Sequence, residues 1–122
     1  MMIEQQLRDE VMRMHAQVCA ALADPNRILL LYSIAEQPRS VGDLVKALGI
    51  SQPAVSRHLQ NLRERRIVTA TRDGQNVFYS LADQRIIQAL DLLRSVLADN
   101  LSYQGSLAEK VDLTQIPGGK SE

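Results

Sequence analysis

The sequence is short of most features that announce a particular chemistry. It has one cysteine, Cys19, in 122 residues. A single thiol closes no intramolecular disulfide and builds no multi-thiolate zinc site. Apolar runs such as Ile28 to Tyr32 last only a few residues, whereas a membrane span needs about 20, so no membrane partner is expected. The first residues carry Glu4, Asp9 and Glu10 and lack a basic-then-apolar leader, so the expectation is no secretory signal and a cytoplasmic location. There is no glycine-rich phosphate loop, no paired-histidine metal motif and no nucleophile–base set. Those absences argue against an enzyme and against a cofactor. A chain of this length also leaves little room for a core together with a deep catalytic cleft.

Net charge is absent as well, with 14 basic and 14 acidic side chains. The balance conceals a pattern. Residues 39–76 carry seven basic and three acidic groups, while the segments on either side are acidic. A basic centre between acidic ends suggests one surface for a polyanion and others for different work.

Periodicity then divides the chain. Residues 2–22 read as one long helix, with Ile3, Leu7, Val11, Met14, Val18 and Leu22 in a stripe that Met12, Ala16, Cys19 and Ala20 widen. Asp24 and Pro25 open a second helix to about Ala35, offering Ile28, Leu29, Leu31 and Tyr32 to the core. Ser40 and Asp43 resemble a capping box at the start of a third, whose stripe is Val41, Leu44, Val45 and Leu48. Gly49 stands where a left-handed terminal residue is wanted. Ser51 caps a fourth helix that fades near Arg66. The period changes to two over residues 67–81, broken by Asp73-Gly74, which predicts a two-stranded hairpin. Asp83 opens a fifth helix to about Leu101, with Ile86, Ile87, Leu90, Leu93, Val96 and Leu97 in its stripe and Leu92 extending it. The fold class is therefore mainly α with a β-hairpin, in the order four helices, two strands, one helix. Residues 1–101 form the domain. Residues 102–122 form a tail in which Leu107, Val111, Leu113 and Ile116 have room to dock, before a loose, partly disordered end at Pro117-Gly118-Gly119.

The third and fourth helices, joined by Leu48-Gly49-Ile50-Ser51, have the form of a helix-turn-helix, whose second helix reads the DNA major groove. At about 100° per residue, Val55, Leu59 and Leu62 share one side of that helix. Pro53, Arg57, Gln60 and Glu64 point away, with Ser56 on the flank and Gln52 near the leading end. Arginine donates two parallel hydrogen bonds to guanine, glutamine pairs with adenine, and serine suits base edges or phosphate. His58 lies about 60° from the apolar stripe and reads as a packed or partly exposed histidine rather than a base contact. His15 reads as a helix-surface or interface residue. The hairpin forms a wing whose tip offers Arg72, Gln75 and Asn76 to phosphates or the minor groove. A simple structural hairpin covering the core is the rival reading for those wing residues. Arg63, Arg65 and Arg66 add positive charge suited to phosphate positioning or solubility. The DNA-facing set is Ser51, Gln52, Ser56, Arg57, Gln60, Arg72, Gln75 and Asn76. The first and fifth helices carry more apolar surface than one body of this size readily covers, which points to a homodimer. A winged-helix module that binds protein rather than DNA is the alternative, and DNA binding at low salt separates the two.

The order of elements resembles the ArsR/SmtB family of small bacterial winged-helix repressors. The likeness is carried by Ala21-Leu22-Ala23-Asp24-Pro25-Asn26-Arg27, by Ser51-Gln52-Pro53-Ala54-Val55-Ser56-Arg57-His58-Leu59 with Leu62-Arg63, and by the wing from Arg72 to Leu81. The resemblance covers about residues 5–101. It implies a homodimer through the first and last helices, an inverted-repeat double-stranded DNA operator, and release by an inducing signal, here unidentified. By motif position it implies that Gln52, Ser56 and Arg57 read bases. Family members that sense metal through thiolates have cysteines where this chain has Ser40 and Gly42. Those that use the last helix have carboxylate and histidine ligands where it has Asp83, Arg85, Val96 and Asp99. No metal site of either type is therefore expected; a site of another kind, using His15 or carboxylates of the tail, is the remaining metal-binding alternative. Cys19 reads as a small buried hydrophobe, with a redox switch or pairing with a symmetry mate as the functional alternatives.

Overall fold

Capping chemistry sets most element boundaries. Asp24 lies in extended backbone, and its carboxylate accepts the Asn26 amide proton at 2.8 Å while Pro25 takes the first helical position. Helix α2 accordingly runs Pro25–Glu36. Ser40 and Asp43 close a reciprocal box, Asp43 N–H donating to Ser40 Oγ at 3.1 Å and Ser40 N–H to Asp43 Oδ2 at 3.2 Å. That starts α3, Val41–Leu48. Ser51 Oγ accepts from Ala54 N–H at 3.3 Å and starts α4, Gln52–Glu64. In this computed structural model residues 3–109 are described, with side chains as far as Leu101. Val111, Leu113, Ile116, the Pro117-Gly118-Gly119 end and the Leu107 side chain, all assigned to a tail above, lie outside what is described.

The N-terminal helix is not the single helix expected over 2–22. An α-helix, α1, spans Gln5–Met14, then gives way to a π-helical segment at His15–Cys19 and a 3-10 turn at Ala21–Ala23. The Ala20 amide reaches back to the His15 carbonyl at 3.0 Å, so one extra residue is wound into the turn. Pro25 supplies part of the reason, because it drives Asp24 out of helical backbone (φ −104°, ψ 121°). The shift in phase brings Ala21, rather than Leu22, fully into the core. Cys19 is exposed on the bulged segment and is not the buried hydrophobe expected.

The hairpin is β1, Val68–Asp73, against β2, Asn76–Leu81, antiparallel in a register from Val68↔Leu81 to Asp73↔Asn76. Its turn residues are thus Gly74 and Gln75, not Asp73 and Gly74. Gly74 alone of the pair has positive φ, 66°, the type II′ pattern with glycine first. A residue that periodicity could not flag adds to this sheet. Arg39 N–H donates to the Tyr79 carbonyl at 3.1 Å, and Tyr79 N–H donates back to Arg39 at 2.8 Å. Arg39 Nε also donates to the Ser33 carbonyl at 3.1 Å, tying the bridge to α2.

Leu30, Leu31 and Ile34 of α2, Leu44 of α3, Val55, Leu59 and Leu62 of α4, and Ile67 and Val68 at the head of the hairpin are each 3% exposed or less. Burial of such side chains is worth about 1.5–3 kcal/mol apiece. A surface ion pair such as Arg39–Glu36 contributes about 0–1 kcal/mol. The core therefore dominates. Leu30 and Ile34 take the places expected of Leu29 and Tyr32; Leu29 is exposed and Tyr32 half-buried.

The chain divides into two units, one ending at Gln84 and one beginning at Arg85. The second opens with α5, Arg85–Glu109. It runs past the expected end at Leu101, since no proline interrupts it before Pro117. Along it Leu92, Leu93, Val96 and Leu97 are 55–69% exposed. Ile3, just before α1, and Leu7, Val11 and Met14 on it are 40–52% exposed, and no α1 residue is buried. No helix among the described residues is long and apolar enough to cross a membrane.

The capping box gives the fold a measurable acid sensitivity. Hydrogen bonds from the Ser40 backbone N–H, and next from its side chain, hold the Asp43 carboxyl below the usual aspartate value. The folded carboxyl releases its proton more readily than the unfolded one. Its stabilisation is therefore complete above the ordinary aspartate value and is lost as pH falls through the lowered folded value. A carbon-13 titration of the Asp43 carboxyl is expected to show the lowered midpoint, and Ser40→Ala to move it part of the way back up.

Candidate nucleic-acid interface

Three residues join α3 to α4. Gly49 adopts left-handed backbone (φ 71°, ψ 25°) and its N–H bonds the Val45 carbonyl at 2.9 Å, ending α3. Ile50 follows, half-buried, and Ser51 caps the next helix. The turn is tight because a glycine accepts positive φ without the clash that a β-carbon brings. On α4 the apolar and polar faces separate as the helical wheel requires. Val55, Leu59 and Leu62 are fully or almost fully buried. Gln52, Pro53, Arg57, Gln60 and Glu64 are exposed, and Ser56 is half-buried.

The outward side chains are partly ordered along the helix. Gln52 Nε2 donates to Ser56 Oγ at 2.9 Å, and Gln60 Nε2 donates to Glu64 Oε2 at 3.2 Å. Arg57 and Arg72 have no ion-pair partner among the described residues. At the hairpin tip Arg72, Asp73, Gly74, Gln75 and Asn76 are all exposed. An open cleft of about 410 Å³ lies between α4 and the hairpin, lined by Leu59, Gln60, Arg63, Glu64 and Tyr79. The eight expected site residues thus fall into two groups, five at or along α4 and three at the wing tip, and none is locked in the core.

The basic block of residues 39–76 is not all available to a polyanion. Arg65 turns back to the N-terminal segment. Its Nη1 donates to the carbonyls of Ala16 and, at 3.3 Å, Gln17, while Gln17 Nε2 donates to the Arg65 carbonyl at 3.1 Å. Arg65 is therefore an internal anchor, which corrects its expected role in phosphate positioning or solubility; Arg63 and Arg66 remain exposed. Arg39 is likewise engaged by Ser33 and Glu36.

Arg27, at the start of α2, bonds the Ala21 carbonyl through Nε at 2.7 Å and the Ala20 carbonyl through Nη2 at 3.3 Å. Its Nη1 lies 3.4 Å from His58 Nδ1. A guanidinium only donates, so Nδ1 is the acceptor in this contact. His58 is half-buried, as the wheel implied. These arginine anchors were beyond sequence reasoning, since their partners lie 31 to 49 residues away or are backbone carbonyls. Among the described residues no group of three or more His, Cys, Asp or Glu is placed to hold a metal ion.

A helix-turn-helix followed directly by a hairpin with an exposed arginine near its tip defines a winged helix-turn-helix, a DNA-binding class. Comparison with known proteins agrees. Residues 24–70 match the family model described as bacterial regulatory protein, arsR family. A transcriptional repressor SmtB homolog of Synechocystis is 42% identical over 101 residues, covering 79% of this chain and 74% of that protein. The nodulation protein NolR of Rhizobium meliloti is 35% identical over 81 residues, 66% of each chain. Among solved structures, the homodimeric winged helix-turn-helix DNA-binding domain of Mb0332 from Mycobacterium bovis superposes with a TM-score of 0.71 at 25% identity, covering 84% of this chain and 95% of that one. The chain belongs to the arsR family of bacterial regulatory proteins and is a winged helix-turn-helix transcriptional regulator.

The turn itself is open to a direct test. A β-carbon on Gly49 meets no atom within 4 Å, so Gly49→Ala introduces backbone strain without a collision. Urea unfolding is expected to show a loss of about 1–2 kcal/mol. An unchanged midpoint would show that the turn relaxes at no cost.

Proposed function

We propose that the chain is a homodimeric repressor that reads an inverted-repeat operator with α4 and steadies it with the wing. The division of α4 into a buried apolar face and an exposed face bearing Arg57 and Gln60 carries this reading. Arg57, unpaired and outward, donates two bonds to a guanine edge, and Gln52 and Gln60 address adenine. Ser51 uses its oxygen as a cap, which leaves its hydroxyl proton for a phosphate at the leading end of the helix, where amide dipoles also favour an anion. Ser56, held by Gln52 in the free protein, serves a base edge or phosphate beside it. Arg72, Gln75 and Asn76 at the wing tip contact backbone or minor groove.

Two-fold pairing supports the operator symmetry. The exposed apolar stripes of α1 and of α5 each call for a partner surface, and the Mycobacterium bovis neighbour is homodimeric. Pairing through these first and last helices sets two reading helices about one DNA turn, ~34 Å, apart. An inducing signal of unidentified chemistry releases the operator. Such a regulator acts in the cytoplasm, with residues 1–101 as the functional domain and residues beyond it as an appendage.

Selection of duplexes from a random pool, followed by titration at several salt concentrations, tests the reading. An enriched inverted repeat is expected. Arg57→Ala is expected to reduce binding of that repeat about 10- to 100-fold, with the dimer intact by sedimentation. Unchanged affinity would remove Arg57 from base reading. Arg72→Ala is expected to weaken all duplexes alike and lower the slope of log affinity against log salt by about one. An unaltered slope counts against a phosphate contact there. Absence of DNA binding at low salt favours a protein-binding module instead.

A further inference from the structure

The bulge at the end of α1 has a consequence for the reading helix. In a regular α-helix the Ala16 carbonyl would accept from the Ala20 amide. Here that amide goes to His15, and the Ala16 carbonyl accepts from Arg65 Nη1 instead. Arg65 is the residue immediately after α4, and its own N–H bonds the Asn61 carbonyl at 3.2 Å, continuous with the helix. Gln17 completes a reciprocal pair by donating to the Arg65 carbonyl. A few residues further along, the Ala20 and Ala21 carbonyls bond Arg27, whose remaining Nη1 donates to His58 near the middle of α4. The Asp24 carboxylate, 3.8 Å from Arg27 Nη1, holds that guanidinium in place. The carbonyls of Ala16, Gln17, Ala20 and Ala21 are thus attached to α4 at two points, one beyond its end through Arg65 and one at His58 through Arg27.

We propose that Arg27 and Arg65 are positioning residues for base reading: they set the roll and depth of α4 against the bulged segment 15–23, so the accuracy of recognition depends on that segment's shape. The idea rests on α4 being the reading helix. Its physical basis is tolerance. A bidentate base contact must be held within about 0.5 Å, and the buried face of α4 is apolar, which limits rotation only by packing. Directional hydrogen bonds at two separated points remove the remaining freedom. Neither arginine needs to touch DNA for this, and that separates them from Arg57 and Arg72.

The test compares the wild type with Arg65→Gln, Arg27→Gln and Gln17→Leu. Gln17 is exposed, so its replacement preserves folding even if an arginine variant does not. Affinities are measured for the duplex enriched by the wild type and for a scrambled duplex, across a salt series, with thermal midpoints and amide proton–nitrogen spectra alongside. In each variant the ratio of enriched to scrambled affinity is expected to fall about five- to tenfold. Scrambled binding and the salt slope are expected to remain as in the wild type, and the amides of Val55 to Leu62 to shift. A slope lowered by about one in Arg65→Gln would make Arg65 a phosphate ligand and overturn the proposal. Equal weakening on both duplexes with a lowered midpoint would reduce the arginines to stability alone and also overturn it. If the wild type enriches no duplex, the DNA-reading proposal fails first. The spectra then decide the anchoring without DNA, since unmoved α4 amides in Gln17→Leu would overturn it.

Discussion

Val55, Leu59 and Leu62 recur at i, i+4 and i+7 and are removed from water. Burying that stripe fixes which way α4 faces, because a helix has one rotation that hides a given set of side chains. Arg57 and Gln60 between them are then turned outward, while Ser56, His58 and Asn61 stay half-buried on the flanks. The turn at Gly49 and the cap at Ser51 set where the helix begins, and Ile67 and Val68, buried just beyond it, bring the hairpin in at its far end. The exposure of Arg57 and Gln60 is thus a by-product of how the core is packed.

Arginine does two kinds of work in the same stretch of chain. Arg57, Arg63, Arg66 and Arg72 stand in solvent, while Arg27, Arg39 and Arg65 cap backbone carbonyls. The planar fork of a guanidinium suits both tasks, since each of its several N–H groups donates to a separate acceptor. Backbone irregularities create the demand. The π-helical turn frees a carbonyl, and the Ala20 and Ala21 carbonyls at the start of the 3-10 turn accept from Arg27. A count of positive charge therefore overstates what residues 39–76 present to a polyanion.

Much of this architecture is legible in the sequence. Asp24-Pro25, Ser40 with Asp43, Gly49 and Ser51 marked helix ends correctly, because capping depends on residues a few positions apart. Alternation across 67–81 located the hairpin, and the outward placement of Arg57 and Gln60 followed from angular arithmetic. Register at the turn was missed by one residue. Asp-Gly and Gly-Gln are both acceptable turn pairs, and cross-strand pairing chose the second. Leu29 and Leu30 could not be ranked either, since α2 is apolar on several sides and only its neighbours decide which leucine they cover.

Local chemistry, then, settled the order of the helices, their caps, the hairpin and the face that α4 shows to solvent, because each depends on spacings of two to seven residues along one segment. Folding in three dimensions decided the bulge at His15–Cys19, the bridge from Arg39 to Tyr79, the exposure of Cys19 and the anchoring of Arg27 and Arg65. The bridge, the Arg65 bonds and the Arg27–His58 contact join groups brought together across tens of residues, while the bulge and the Arg27 bonds to Ala20 and Ala21 are local, and hydrogen bonds to backbone carbonyls leave no imprint on composition or period.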